Sequence, residues 1–374
     1  MKNVASIAYV ACMYTREILV FRLEADSGDI TPIQSLPLNG AVLPLAVSPD
    51  RRFLYAALRS KPYGVASLAI DPSTGMLTHL ADTPVVESMP YLSVDRSGRY
   101  LLGATNAWHG SKPRESFVSV SPIGTDGIVQ AAQQVLATRE KAHCVLTSPS
   151  NQHVYVSSCD GDVMVCSQFD AASGTLSDGA STSFGVDAGA GPRHFVFHPN
   201  HRILYLLNEY DATICAFVQD AATGTLEKIQ TCQASPPDPD GGSLRAADIH
   251  VTPQGTFLYA SVRSSNTLAA FKVDRAGLLT PLATYQTENE PRGFNIDPCG
   301  RYLLVAGRQS DTLAVFAIDE KSGELNMIGR HAIGLDAPSL RISSQRCVDL
   351  PPMKPQEHGL RGPNWVEFVS LGSD

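Results

Sequence analysis

The chain is short of everything that would mark a membrane, nucleic-acid or metal protein. No run of 18 apolar residues occurs in its 374, so no transmembrane helix is expected. Positive charge is in deficit: 29 Lys and Arg against 37 Asp and Glu, a formal charge of -8. Such a surface repels phosphate backbones and anionic lipid, and neither nucleic acid nor membrane is expected as a partner. The eight cysteines include no CxxC pair, which leaves a zinc site without support. They sit mostly in apolar, strand-like stretches such as Thr213-Ile-Cys-Ala-Phe217, as free thiols in a reducing compartment would. The opening Met1-Lys-Asn-Val-Ala-Ser-Ile-Ala-Tyr-Val10 is too short and too strand-like for a signal peptide, so a cytoplasmic location is expected. Tryptophan is scarce: Trp108 and Trp365 are the two, and no Trp-Asp pair marks the chain as a scaffold propeller of the repeated Trp-Asp kind.

What the chain has is a repeat. A polar turn ending in glycine recurs seven times, with the last glycine at 28, 75, 127, 174, 224, 277 and 323. A hydrophobic phrase keeps step: Arg52-Phe-Leu-Tyr55, Arg99-Tyr-Leu-Leu102, His153-Val-Tyr155, Arg202-Ile-Leu-Tyr205, Thr256-Phe-Leu-Tyr259 and Arg301-Tyr-Leu-Leu304. A period near 50 residues (roughly four short strands and their turns) predicts an all-β, seven-bladed propeller. Within each period the strands a, b, c and d run from the axis outward. The first repeat lacks strand a. Pro338-Ser-Leu-Arg-Ile-Ser-Ser344 is expected to supply it, closing the ring with strands from both ends of the chain. The propeller is thus expected over 1–346, with 347–374 as a tail outside the repeat.

Strands a and b are antiparallel, so the start of a and the end of b share one mouth of the channel. Aligned repeats place Leu43, Pro90, His143, Arg193, Ala247 and Arg292 at the first position. They place Met13, Arg59, Asn106, Cys159, Glu209, Arg263 and Arg308 at the second. Five arginines and a histidine therefore meet a single carboxylate, on a protein that is acidic overall. His194, His250, Asp248 and Asn208 lie one to three residues away. This local inversion of charge predicts a pocket for an anionic small molecule. Such a protein is expected as a monomer or weak homo-oligomer. A hard cation would want several converging carboxylates, and only Glu209 and Asp248 are near, so neither metal nor cofactor is expected. The remaining histidines, His198 and His201 among them, read as structural or solvent-exposed.

At Gly191-Pro-Arg-His-Phe-Val-Phe-His-Pro199, Asn208-Glu209, Ala246-Ala-Asp-Ile-His-Val-Thr-Pro-Gln-Gly255, Leu258-Tyr-Ala-Ser-Val-Arg263 and Pro291-Arg-Gly-Phe-Asn-Ile-Asp297 the chain resembles the lactonase family of seven-bladed propellers. That family includes bacterial cycloisomerase-type 6-phosphogluconolactonases and is related to fungal carboxymuconate cyclase. The resemblance implies a metal-independent lactone hydrolase whose catalytic set falls on His143, Arg193, Glu209 and Arg263. Arg59, Asn106, His194, His250, Arg292 and Arg308 are then expected to bind substrate. 6-Phospho-D-glucono-1,5-lactone is the leading substrate, placing the protein in the pentose phosphate pathway. Aldarate lactones such as glucaro- or galactaro-1,5-lactone form the rival, and a muconate-type cycloisomerase or a non-catalytic propeller stands further off. Two departures are notable. A charged insertion between Trp108 and Phe117 is placed to line or cover the mouth, and the segment after Ser344 is longer than the family's usual ending.

Overall fold

The computed structural model describes residues 6–106, 115–177, 181–236, 241–333 and 361–371. These form seven small antiparallel sheets and no helix. Numbered by their innermost strands, blades one to seven begin at Val42, Tyr91, Ala142, Pro192, Ala246, Pro291 and Pro363.

The recurrent polar turn makes the c–d hairpin of each blade. At Asp71 the carboxylate accepts the backbone N–H of Ser73 and of Thr74, at 2.9 and 2.8 Å, and Asp220 and Asp319 repeat the pattern. The closing glycine is in the left-handed region, φ +73° at Gly75, which an L side chain resists. Its carbonyl is also taken by the blade before it. Tyr9 donates to Gly75, Tyr155 to Gly224, Tyr205 to Gly277 and Tyr259 to Gly323, at 2.7–2.8 Å. At these four junctions the two signals of the repeat, the turn glycine and the strand-b tyrosine, are thus two halves of one inter-blade bond.

Strand b is buried throughout, as in Ile203–Asn208 and Phe257–Val262, whereas strand d is exposed on most positions, as in Leu279–Gln286. Burial on both faces explains why strand b reads as an unbroken apolar run. The core accordingly lies between blades. Tyr205 and Leu207 of blade four, for example, pack with Leu258 and Ala260 of blade five.

The ring closes differently from the sequence-based expectation. Strand a of blade seven is Pro363–Ser370, paired antiparallel with Ser6–Cys12, so the segment expected to form a tail completes the last blade. Its Trp365, Val366 and Val369 are buried, and that apolar burial against blades six and one holds it in place. Pro338–Ser344 and the insertion at 110–116, apart from Glu115 and Ser116, lie outside the described residues.

Candidate active site

The mouth is built by irregularities in the ladder. Strand a of blades one, three, four, five and six slips register at its start, between Val42 and Leu45, Ala142 and Val145, Pro192 and His194, Ala246 and Ile249, and Pro291 and Gly293. Blade seven does the same opposite Ala11 and Cys12, which leaves Asn364 unpaired. His143, Arg193, Ala247, Arg292 and Asn364 all occupy these bulges. A bulge frees a residue from the alternation of the strand and re-aims its side chain, here toward the axis. Backbone groups released by the slip find serines on strand b: Cys144 N–H donates to Ser157 Oγ and Asp248 N–H to Ser261 Oγ, both at 3.0 Å.

Glu209 is the hub. Its Oε1 accepts from Arg263 Nη2 at 3.0 Å, and its Oε2 lies 3.2 Å from Arg193 Nε, an ion pair without hydrogen-bond alignment. Arg193 is 1% exposed, and its Nη1 donates to the Ala247 carbonyl; Arg263 Nε donates to the Arg245 carbonyl at 2.8 Å. Burial alone would raise the Glu209 carboxyl, but the Arg193 and Arg263 guanidiniums hold it down to about 2. It is therefore an anion at every physiological pH and a poor base. His143 is buried, and burial together with the charges of Arg193, His194 and Arg292 pushes its imidazole well below the ordinary histidine range. It stands neutral at pH 7, beside a carboxylate-locked pair of guanidiniums.

The other expected site residues divide. Arg292 is at the mouth, half-buried, with no side-chain hydrogen bond and no ion pair within 4.0 Å among the described residues, although its charge helps lower the Glu209 carboxyl. Burial and the surrounding Arg193, Arg263, Arg308 and Arg59 push its guanidinium well below its usual value. Arg308 is gripped by Glu290, Nε to Oε2 at 2.9 Å and Nη2 to Oε1 at 2.7 Å. Arg59 donates to Ser88 Oγ at 2.8 Å. Asn106 spends its amide on the Ala142 carbonyl at 3.0 Å, which ties blade two to blade three. His194 and His250 sit below the mouth on either side of Asp248. His194 Nδ1 is 2.8 Å from Oδ1 and His250 Nε2 is 3.4 Å from Oδ2.

Three residues of this region escaped the sequence reading as site members. Asn364 and Glu367 come from the misassigned closing strand. Lys141 lies near enough for its charge to help lower the Glu209 carboxyl, and its Nζ donates to Tyr210 Oη at 2.6 Å. Pro363-Asn-Trp-Val-Glu367 is in phase with Pro192-Arg-His-Phe-Val196, and that match was the available signal for the first two. Volume does not locate the chemistry. A groove of about 300 Å³ lies between blades two and three, lined by Val118, Leu136, Val154 and Leu176, and Arg139 is the one charged side chain on its walls among the described residues. Among the described residues no group of His, Cys, Asp and Glu is arranged to hold a metal ion. None of them forms a helix long and apolar enough to cross a membrane.

Residues 7–341 match the family model described as lactonase, 7-bladed beta-propeller. The 6-phosphogluconolactonase of Pectobacterium carotovorum is 38% identical over 88% of this chain and 96% of its own length. That of Yersinia pseudotuberculosis is 36% identical over 87% of this chain and 94% of its own. A candidate 6-phosphogluconolactonase from Bacteroides fragilis superposes with a TM-score of 0.81 at 26% identity, covering 98% of both chains.

Proposed function

Because the chain belongs to the family of seven-bladed β-propeller lactonases, we propose that it opens the ring of an anionic sugar-acid lactone by attack of water. 6-Phospho-D-glucono-1,5-lactone is the substrate that the named relatives favour, with 6-phosphogluconate as product in the pentose phosphate pathway. The observation that carries the anionic specificity is Arg292: a half-buried guanidinium ringed by four others, without a direct ion pair among the described residues and sharing the Glu209 charge with Arg193 and Arg263. A cation that only shares a carboxylate in such a place is costly until a further anion arrives, and Arg offers a bidentate fork to phosphate or carboxylate.

In this reading Arg292 holds the distal anion and brings the lactone carbonyl to Arg193 and Arg263. Water attacks the carbonyl carbon as neutral His143 takes its proton, a role worth about 10²–10⁴ in rate. Arg193 and Arg263 receive the charge that develops on the carbonyl oxygen. The tetrahedral intermediate collapses, the ring C–O bond breaks, and the departing oxygen recovers the proton from His143. Glu209, its two oxygens engaged by Arg263 and Arg193, fixes the two guanidiniums in place. The free thiols of Cys12, Cys144, Cys159, Cys166 and Cys215, all buried, suit a reducing cytoplasm, which belongs to the same reading.

One observation favours a second substrate. Two of the three arginines expected to bind substrate are already engaged, Arg308 by Glu290 and Arg59 by Ser88. A single open fork suits a carboxylate as well as a phosphate, so glucaro- or galactaro-1,5-lactone is the alternative. The test is initial rates on both lactones with EDTA present, spontaneous opening subtracted, for the native protein and Arg263→Ala. A faster phosphorylated lactone, with the excess abolished in the variant, upholds the first reading. A faster aldarate lactone moves the protein to uronate catabolism. No excess on either removes both.

A further inference from the structure

Below the mouth the channel holds acid–base groups that the reaction scheme leaves idle. Asp248, 5% exposed, accepts the Phe294 N–H at 3.2 Å on Oδ2 and meets His194 Nδ1 at 2.8 Å on Oδ1. Carboxylates are acceptors only, so the contact places the proton of His194 on Nδ1 and leaves Nε2 with a lone pair. That Nε2 is buried and has no hydrogen-bond partner among the described residues. The imidazole of His143 is the next ring toward the mouth, with centroids 5.1 Å apart and planes at 57°. Its Nδ1 is likewise buried and without a partner. One neighbouring ring thus carries an orphaned acceptor and the other an orphaned nitrogen able to donate. Buried polar atoms are seldom left so.

We propose that Asp248 and His194 are positioning residues for His143. Asp248 fixes the His194 tautomer; the two rings adjoin without a hydrogen bond in this structure, and a turn of the His143 ring would let His194 Nε2 accept its Nδ1–H, leaving His143 Nε2 as the lone pair offered to water. The arrangement spans blades three, four and five, each contributing one member from the start of its strand a. It gives a role to the wider bulge of blade five, which leaves unpaired both Ala247, at the mouth position, and Asp248, one residue below it. It also gives the imidazolium formed during turnover a buried carboxylate one ring away, beyond His194. Tyr91 and Trp365 stack edge-on against His194, at 5.1 and 5.5 Å, and hold its ring in place.

The claim rests on the lactonase reading for its kinetic consequence but not for its geometry, and the experiment separates the two. Imidazole nitrogens of the native protein are read by ¹⁵N NMR, and steady-state rates are measured for native protein and Asp248→Asn. The expected result is a proton on Nδ1 of both His194 and His143, together with a fall in kcat of at least about ten-fold in the variant at little-changed KM. A proton on Nε2 of His194 in the native protein overturns the proposal. So does a folded Asp248→Asn protein that keeps its kcat within about two-fold. If the native protein hydrolyses neither lactone, the substrate reading falls alone, and the native tautomers still decide the positioning claim. They also decide it if the variant does not fold.

Discussion

Replacing Glu209 by Gln removes one charge from a buried trio and keeps the side chain's shape. In the native protein Arg193 is 1% exposed and the Glu209 side chain 14%, so water screens this interaction little. The carboxyl falls from an ordinary 4.5 to about 2 on folding. At about 1.4 kcal/mol per unit, that difference contributes about 3 kcal/mol to stability. It agrees with the about 3–5 kcal/mol lost when one partner of a buried ion pair is deleted. The sign follows from the depressed value: the contribution is complete above pH 4.5 and disappears as pH falls from 4.5 toward 2. Urea unfolding of native protein and Glu209→Gln should therefore differ by about 3 kcal/mol at pH 7 and progressively less toward pH 3. Activity should fall about 100-fold or more, since two guanidiniums lose their anchor. A difference below about 1 kcal/mol at pH 7, or one that does not shrink on acidification, would refute the account of the hub.

Arg292→Met should separate binding from folding. KM for the phosphorylated lactone should rise at least about ten-fold, while the urea midpoint rises as well, because four repelling guanidiniums outweigh its share of Glu209; a lowered midpoint would mean that the attraction wins. Gly75→Ala should cost about 2 kcal/mol or more by urea unfolding, since the residue sits at φ +73° and an added Cβ would lie 2.4 Å from Ile7 Cγ1. Ending the chain before Arg361 should leave blade seven three-stranded and its edge open, giving aggregation in size-exclusion chromatography. A monodisperse, active product would mean that Pro363–Ser370 is dispensable.

Much of this was legible because the repeat writes it twice. The turn aspartates and glycines mark each hairpin, and counting from the strand-b tyrosines carries His143, Arg193, Glu209 and Arg263 to one mouth. Counting failed where a strand stands outside the period. Pro363–Ser370 has no following turn and hairpin to mark it, and Pro338–Ser344 offered a strand-like pattern directly after the last repeat. Asn364 and Glu367 were missed with it. Partner assignment was also beyond sequence. Arg308 and Arg292 occupy equivalent-looking mouth positions, yet Glu290, in a loop outside the aligned positions, takes up the first and leaves the second open. The Asp248–His194 contact joins two blades 54 residues apart, and a period says nothing about which side chains meet across it.

The bulges at the starts of the inner strands have an evolutionary consequence. A residue that opposes no partner in the ladder can be exchanged without disturbing the blade beneath it. The scaffold is conservative by construction, since a change in strand b strikes two interfaces at once. The bulge residues are modular, and blades one and five already show neutral choices, Leu43 and Ala247, where others carry cations. A lineage could therefore exchange one acyl substrate for another by editing a handful of unpaired positions. The ring would persist while its chemistry diversified.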